Sequence, residues 1–378
     1  MSLQSIFKAR PLLPAVFLLM IASGYAQHGR PALQEVFKNA FYVGAALNHA
    51  QIIGMDTSAL RLVKKHFNSI TAENVLKWES VHPEPNRYHF AAADSFVAFG
   101  EKNKMFIVGH TLIWHNQTPE WVFTDASGTL ADRATLLQRM RDHIFAVAGR
   151  YQGRIHGWDV INEAVEDDGQ LRQSKWLQVL GEDYVQKAFA WAHEADPEAE
   201  LYYNDYNMWK SGKRQRAVRL VRALQTKGVR IDGIGMQGHW GMDYPPLEEL
   251  EASVVAFAEL GVKVDITELD ISMLPDPGAH TGADITLNDA LKKELDPYAQ
   301  GLPPAVQAKL ASRYAELFRV LYKHRDKITR VTFWGVHDGQ SWHNYWPVRG
   351  RTAYPLLFDR NYEPKPAFDA VARIARGE

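Results

Sequence analysis

The sequence predicts a single-domain α/β protein, a closed (β/α)8 or TIM barrel, and three observations lead to that fold. Short apolar segments rich in β-branched and aromatic residues alternate with longer segments of helical periodicity, which is typical of parallel strands joined by helices. There are eight segments of each kind, and that count favours a closed barrel over an open, doubly wound sheet. The length of 378 residues also fits one barrel with insertions.

The expected strands are apolar segments that run out into polar residues. They lie at residues 41–47, 67–71, 105–110, 155–162, 200–204, 233–239, 262–267 and 331–335. The expected helices lie at residues 58–65, 91–103, 133–151, 182–195, 213–227, 247–260, 304–325 and 366–376. Asp196–Pro197, Gly228 and Gly261 stop three of these helices. One insertion, Ser272–Leu302, is longer than a loop usually is without a function.

Residues 1–26 have the composition of a secretory signal peptide. Lys8 and Arg10 precede an apolar stretch over residues 12–22, and small residues precede a cleavage point after Ala26. The stretch is short for a transmembrane helix, although an uncleaved anchor remains the alternative. We therefore expect residues 27–378 to form the mature barrel domain, secreted or kept in the periplasm or cell envelope, with no membrane span in the mature protein.

The composition excludes several classes of function. A formal net charge of −1 gives no reason to expect nucleic acid or an anionic membrane as a partner. The absence of Cys rules out disulfides, Cys-ligated zinc and a thiol nucleophile. The 11 Trp and 15 Tyr favour a groove whose aromatic faces stack on sugar rings, although large cores also use Trp.

Polar residues follow seven of the eight expected strands, at the ends that form the catalytic face of such a barrel. They are Glu73 and Asn74, His110, Asn162 and Glu163, Asn204–Asn207, Gln237 and His239, Glu268 and Asp270, and Trp334, His337 and Asp338. One polar strand end is commonplace, but seven of them indicate an active site.

Two of these strand ends supply a glutamate, Glu163 after the fourth strand and Glu268 after the seventh. Each alone is as often a loop cap or an ion pair as a catalytic group. Together they match retaining glycoside hydrolysis, in which a protonated carboxyl donates to the leaving oxygen and an ionised carboxylate attacks. If the seventh strand continues to Asp270, this residue points to the same face as Glu268, and His239 on the neighbouring sixth strand is placed to lie between them and keep Glu268 ionised. Glu163 is then the proton donor, with Asn162 beside it for the sugar 2-hydroxyl.

A metal site and a nucleotide site fit the sequence less well. His110, His115 and His239 could bind zinc with a carboxylate, but there is no His-x-His pair and no His-Glu-x-x-His helix. We expect no metal and no cofactor, and we expect His115 to be a hydrogen-bonded core histidine. Gly233-x-Gly235-x-x-Gly238 matches the letters of the dinucleotide fingerprint, but it runs on into Trp240 rather than opening a helix.

At these residues the sequence resembles the family 10 glycoside hydrolases, most of which are endo-β-1,4-xylanases. The resemblance extends from Phe41 to Phe368. The motifs that carry the resemblance are Thr71–Asn74 with Lys77 and Trp78, Gly109–His115, Trp158–Glu163, Asn204–Asn207, Gly235–His239, Ile266–Asp270, Phe333–Gly335 with Ser341 and Trp342, and Leu356–Asp359 with Pro364–Phe368. The resemblance implies a TIM barrel that needs no cofactor and hydrolyses xylan and xylo-oligosaccharides by double displacement.

The resemblance also implies a role for each matched side chain. Glu163 would be the acid/base and Glu268 the nucleophile, with Asp270 as catalytic support. The substrate-binding residues would be Glu73, Asn74 and Lys77 at subsite −2, His110 and Trp114 at subsite −1, Gln117 just beyond, Asn162, Tyr206 on the leaving-group side, Gln237 and His239 beside the nucleophile, and Trp334 and Trp342 as a roof. His337, Asn86 and the long insertion depart from the family pattern and leave the distal-subsite preference open.

Two alternatives stay open at this point. The substrate could be a β-1,4-glucan or an aryl glycoside, because spacing does not show whether the site excludes a hydroxymethyl group. The protein could also be a non-catalytic carbohydrate-binding barrel, but the presence of both glutamates with Asn162, Gln237 and His239 argues against it. We expect a monomer whose partner is xylan.

Overall fold

Parallel strands close into a barrel in a computed structural model of the chain, which describes residues 30–275 and 294–377. The strands are β1 (Tyr42–Leu47), β2 (Ser69–Ala72), β3 (Phe106–Ile113), β4 (Gly157–Asn162), β5 (Glu200–Asp205), β6 (Gly233–Met236), β7 (His239–Gly241), β8 (Lys263–Ser272) and β9 (Ile328–Phe333). Neighbours pair in chain order from β1 to β6, and the ring closes through β6–β8, β8–β9 and β9–β1. The short β7 pairs with the end of β8. The predicted eight-stranded barrel is confirmed.

Helices lie between the strands. They are α1 (Leu33–Val36), α2 (His49–Ile52), α3 (Thr57–His66), α4 (Trp78–Val81), α5 (Ala91–Lys102), α6 (Arg133–Val147), α7 (Lys175–Leu180), α8 (Asp183–Ala195), α9 (Ser211–Thr226), α10 (Leu247–Ala258), α11 (Pro304–Lys323) and α12 (Pro366–Arg376). All eight predicted helices are present, with ends that differ by a few residues. The short helices α1, α2, α4 and α7 were not predicted, because such lengths show no helical periodicity.

Side-chain caps set where several helices begin. Asp56 accepts a hydrogen bond from Ala59 N at the start of α3, and Asp132 accepts one from Thr135 N at the start of α6. Ser174 caps α7 in the same way. Each cap satisfies a backbone N–H that has no partner within its own helix.

The strands are buried on both faces, as parallel strands under helices are. Every residue of β2, β4 and β6 is buried, and the chain from Pro31 onward forms one compact unit. A glycine makes room for one large side chain in this core. A Cβ on Gly109 would lie 2.2 Å from the ring of Trp158, which is fully buried. Glycine at this position therefore lets β3 and β4 pack around the indole.

The predicted sixth strand is interrupted, and the interruption places a polar side chain. We expected one strand over residues 233–239, but β6 ends before Gly238, whose φ of 87° is one that favours glycine. The chain then re-enters the sheet as β7, where His239 pairs with Asp270 of β8. β8 runs beyond its predicted end, so the two residues lie side by side.

Two predictions fall outside the described residues. The signal peptide over residues 1–26 and the central part of the insertion, residues 276–293, lie there, and both stay predictions. In the part of the chain that is described, no helix combines the length and the apolar character that a membrane span requires.

Candidate active site

A groove of about 1120 Å³ opens at the carboxyl ends of the barrel strands. Sites for single small molecules usually measure about 300–1,000 Å³, so this groove has room for several linked rings. Both glutamates and all the predicted substrate-binding residues line it, namely Glu73, Asn74, Lys77, His110, Trp114, Gln117, Asn162, Glu163, Tyr206, Gln237, His239, Glu268, Trp334 and Trp342. Asp270 is fully buried and contacts two of them.

Glu268, on β8, is held by donors from two other strands. Asn204 Nδ2 donates to its Oε1 at 2.7 Å, and His239 Nε2 lies 3.0 Å from its Oε2. The residue is only 4% exposed, and burial alone would raise the pKa of its carboxyl. The hydrogen bond from His239 and the charges of His110 and His239 outweigh burial and hold the pKa of Glu268 below its usual range. Glu268 is therefore an ionised carboxylate in the groove wall.

Asp270 supplies the charge that keeps His239 protonated. Its Oδ2 lies 3.1 Å from His239 Nδ1 and accepts a hydrogen bond from Trp342 Nε1 at 2.7 Å, while His343 Nε2 lies 3.1 Å from Oδ1. Burial opposes a charge on His239, yet the carboxylates of Asp270 and Glu268 raise its pKa to about 10. Burial also opposes the charge on Asp270, but the two histidines hold its pKa well below the usual range. The structure thus contains the expected Asp–His–Glu chain, and His343 extends it.

Glu163 follows β4 with a left-handed backbone, at a φ of 58°. Its backbone N–H donates to the carbonyl oxygen of Asn204 at 2.9 Å, which ties this turn to the end of β5. Its carboxyl accepts hydrogen bonds from Trp114 Nε1 at 2.9 Å and from Gln237 Nε2 at 3.0 Å. Both donors are neutral, in contrast to the charged imidazole beside the other glutamate.

Amide side chains connect the two glutamates. Asn204 Nδ2 and Gln237 Nε2 both donate to Asn162 Oδ1, at 2.9 and 3.2 Å, and each of them also donates to one of the glutamates. Rotating the Asn162 amide by 180° would instead let its oxygen accept from Trp114 Nε1 at 3.2 Å. In either orientation Asn162, only 3% exposed, lies in the polar network between the two carboxyls.

A second polar cluster surrounds Lys77 at one end of the groove. Its Nζ donates to Asn74 Oδ1 at 3.0 Å and to Gln117 Oε1 at 2.8 Å, and it lies 4.8 Å from the centre of the Trp114 ring. Burial lowers the pKa of Lys77 and raises the pKa of Glu73, although the two charges oppose those shifts. This cluster offers donors and acceptors for the hydroxyl groups of a bound ring.

Partners that the sequence analysis missed hold two of the groove residues. His110 Nδ1 lies 2.8 Å from Asp159 Oδ2, and both side chains are buried. The Tyr206 hydroxyl accepts from Arg172 Nη2 at 2.7 Å, and Lys213 Nζ lies 3.4 Å from the centre of the Tyr206 ring. A carboxylate inside a buried strand requires a partner, and that signal could have identified Asp159.

Six further side chains line the groove although none was among the predicted binding residues. They are Asn116, Asn207, Trp209, Lys210, Tyr244 and Trp346. All six lie on loops beyond the strand ends, where no periodicity indicates which way a side chain points.

The expectation for His115 is wrong. The side chain is only partly buried, and its Nδ1 has no hydrogen-bond partner within the described ranges. Burial lowers its pKa to about 4, so the ring is neutral at pH 7. Across residues 30–275 and 294–377, no group of three or more His, Asp or Glu side chains forms a candidate metal site.

Known proteins similar to this chain match most of its length. The profile of Glycosyl hydrolase family 10 matches residues 32–374. Endo-1,4-beta-xylanase A of Xylanibacter ruminicola is 45% identical over 94% of this chain and 97% of its own. Beta-1,4-xylanase of Dictyoglomus thermophilum is 45% identical over 91% of each chain.

Solved structures agree with the sequence comparisons. A GH10 endoxylanase retrieved from a sugarcane soil metagenome superposes with a TM-score of 0.86 at 46% identity, over 92% of this chain and all of that one. Xylanase XynB from Paenibacillus barcinonensis, complexed with a conduramine derivative, superposes with a TM-score of 0.81 at 41% identity, over 90% and 98% of the two chains. With its closed barrel and its paired glutamates at the strand ends, the chain belongs to glycosyl hydrolase family 10.

Proposed function

We propose that this protein is an endo-1,4-beta-xylanase that hydrolyses internal β-1,4 bonds of xylan and xylo-oligosaccharides with retention of anomeric configuration. Membership of family 10 and the activity for which its relatives are named support the reaction. The open groove supports the endo action, because polar and aromatic side chains line it with room for several sugar units.

The contrast between the two glutamates is the observation that supports a separate role for each of them in this reaction. Glu268 is buried beside the protonated His239 and ionised, which suits a nucleophile. Glu163 is partly exposed in the groove, and its carboxyl has only neutral donors. Those two donors hold the carboxyl in the groove, as a general acid must be held within reach of the oxygen that it protonates.

The proposed reaction has two steps. In the first, Glu268 attacks the anomeric carbon while Glu163 gives its proton to the glycosidic oxygen, so the bond to the leaving sugar breaks as the bond to Glu268 forms. In the second, Glu163 takes a proton from water, whose oxygen attacks the same carbon and releases Glu268. Asn162 is placed to bond the sugar 2-hydroxyl, a contact that strengthens in the transition state.

The other groove residues would bind and orient the polymer. Asp270 acts on the nucleophile through His239, which it holds protonated. The proposed contacts to sugar hydroxyls and ring faces are Glu73, Asn74, Lys77, His110, Trp114, Gln117, Tyr206, Gln237, Trp334 and Trp342.

The stereochemistry of the first product tests the mechanism. We expect proton NMR of xylohexaose hydrolysis to show the β-anomer before mutarotation produces the α-anomer. An α-anomer that forms first would mean inversion and would refute the double displacement. Parallel assays on xylan and carboxymethylcellulose test the substrate, and we expect xylan to be preferred.

Two substitutions separate the roles of the glutamates. We expect Glu268→Ala to lose essentially all turnover on xylan, because no nucleophile remains. Glu163→Ala also loses xylan turnover but keeps a fast first step on an aryl xylobioside, whose good leaving group needs no proton. Glu259→Ala, exposed and outside the groove, serves as the control. Near-normal xylan activity in both glutamate variants would refute the assignment.

We also propose that the protein is exported and acts as a monomer. The support for export is the composition of residues 1–26, with a cleavage point after Ala26. Protein recovered from the medium or the periplasm is expected to begin at Gln27 on N-terminal sequencing. An intact N-terminus there would contradict cleavage, and light scattering at twice the monomer mass would contradict the monomer.

A further inference from the structure

Two adjacent aromatic side chains on the loop after β9 are among the most exposed apolar groups that the structure describes. Tyr345 is 62% exposed and Trp346 is 63% exposed. They differ in where they point, because Trp346 lines the groove and Tyr345 does not. Single exposed apolar residues are ordinary, so the position of Trp346 in the groove is the informative observation.

The backbone that carries these rings is fixed. Asn344 is 5% exposed, and its Oδ1 accepts from Ala353 N at 2.9 Å and from Arg360 Nη2 at 2.7 Å. Its Nδ2 donates to the carbonyl oxygen of Asp338 at 2.9 Å. Just beyond it, Arg351 Nη2 donates to the carbonyl oxygen of Trp346 at 3.4 Å. These hydrogen bonds anchor the main chain of the loop, while the indole of Trp346 stays exposed to solvent.

Trp346 lines the same groove as Trp342, which contacts the residues around Glu268. Trp342 donates to Asp270, and the centre of its ring lies 5.0 Å from the centre of the His239 ring. The backbone N–H of Trp346 donates to the carbonyl oxygen of Trp342 at 3.0 Å, so the two residues are one turn apart in the loop. Tyr244, 43% exposed, lines the same groove.

We infer that Trp346 forms a sugar-binding platform outside the network around the two glutamates, and that it favours longer oligosaccharides. This inference rests on the proposed function. The occupant is a xylosyl unit of the bound chain, because the apolar face of a sugar ring can cover an exposed indole face. The anchored loop adds to affinity, since little ordering is needed when substrate binds.

The test compares a long substrate with a short one in matched variants. For Trp346→Ala we expect the ratio of kcat/KM on xylohexaose to kcat/KM on aryl xylobioside to fall roughly tenfold, the factor that ~1.4 kcal/mol of lost binding produces. Trp346→Phe, which keeps an aromatic face, retains most of the ratio. Tyr345→Ala removes an equally exposed ring beside the groove and leaves the ratio unchanged.

Binding to an inactive protein gives a second readout. In the Glu268→Ala background, adding Trp346→Ala is expected to weaken xylohexaose binding by calorimetry about as much as the kinetic ratio falls. An unchanged ratio, or an equal fall in Tyr345→Ala, would overturn the platform. Wild-type protein that cleaved neither substrate would refute the proposed function and, with it, this inference, whereas normal cleavage with an unchanged ratio refutes the platform alone.

Discussion

Replacing Asp270 by Asn is the sharpest test of how the groove keeps Glu268, the proposed nucleophile, ionised. Asp270 is fully buried and lies 3.1 Å from His239, whose pKa is raised to about 10. Asn has nearly the same shape but carries no charge. Because the charge of Asp270 is the largest influence opposing burial at His239, we expect the pKa of His239 to fall towards its ordinary value in Asp270→Asn.

The size of the effect follows from the pKa. A rise from 6.5 to about 10 corresponds to about 5 kcal/mol of preference for protonated His239 in the folded protein, at about 1.4 kcal/mol per pH unit. The folded state binds this proton more tightly than the unfolded state. Its contribution to the free energy of unfolding is therefore complete below pH 6.5 and is lost as the pH rises to about 10.

Urea unfolding at pH 6 and pH 10 measures this difference. At pH 6 we expect Asp270→Asn to have a lower free energy of unfolding than the wild type. We expect this difference to be smaller by about 3–5 kcal/mol at pH 10. The control is Asp265→Asn on the same strand, since buried Asp265 pairs with Arg330 at 2.8 Å and a guanidinium does not titrate. We expect the free energy of unfolding of Asp265→Asn to differ from that of the wild type by the same amount at pH 6 and pH 10. An equally constant difference for Asp270→Asn would refute the reasoning.

The same substitution acts on catalysis. A neutral His239 no longer holds the pKa of Glu268 down. We therefore expect the acidic limb of the kcat/KM profile on aryl xylobioside to move to higher pH by about one unit or more. An acidic limb that stayed in place would mean that the charge of His239 does not control the ionisation of Glu268.

Three further predictions concern the barrel that supports the site. Lys213→Met leaves buried Asp205 without the cation 2.8 Å away and lowers the free energy of unfolding in urea at pH 8 by about 3–5 kcal/mol. At pH 5 the loss is smaller, because Asp205, whose pKa is already raised to about 7, is then protonated. Gly109→Ala drives a Cβ into the ring of Trp158 and lowers that free energy by about 1–3 kcal/mol, measured at pH 7. Burial lowers the pKa of His82 to about 4. The contribution of this neutral side chain to the free energy of unfolding is therefore complete above pH 6.5, and about 3 kcal/mol of it is lost as the pH falls towards 4. We expect His82→Phe to lack this part of the loss.

The barrel was predictable because its strands and long helices differ in period and composition. Parallel strands buried on both faces appear as short apolar runs, and the helices between them carry their own start and stop signals. The break before Gly238 was not predictable in the same way. Gly233 and Gly235 lie in the same segment, and only the structure shows that Gly238 alone among the three takes a positive φ.

Most groove residues were predictable from their place at strand ends, and Lys77, Trp114, Gln117 and Trp342 from the resemblance to family 10, but their partners were not. Asn204 stood out as one polar residue after the fifth strand, yet nothing in the sequence indicated that its amide reaches Glu268. His343 likewise follows the predicted Trp342 and contacts Asp270 from a loop. Such contacts depend on side-chain rotamers across different elements, and strand period carries no information about them.

The two glutamates differ in the side chains that contact their carboxyls. The pairing of β7 with β8 gives Glu268 an imidazolium, because it sets His239 against Asp270. The carboxyl of Glu163 instead accepts its hydrogen bonds from Trp114 and Gln237, which are both neutral. This difference in hydrogen-bond partners is the basis of the roles proposed for the two glutamates.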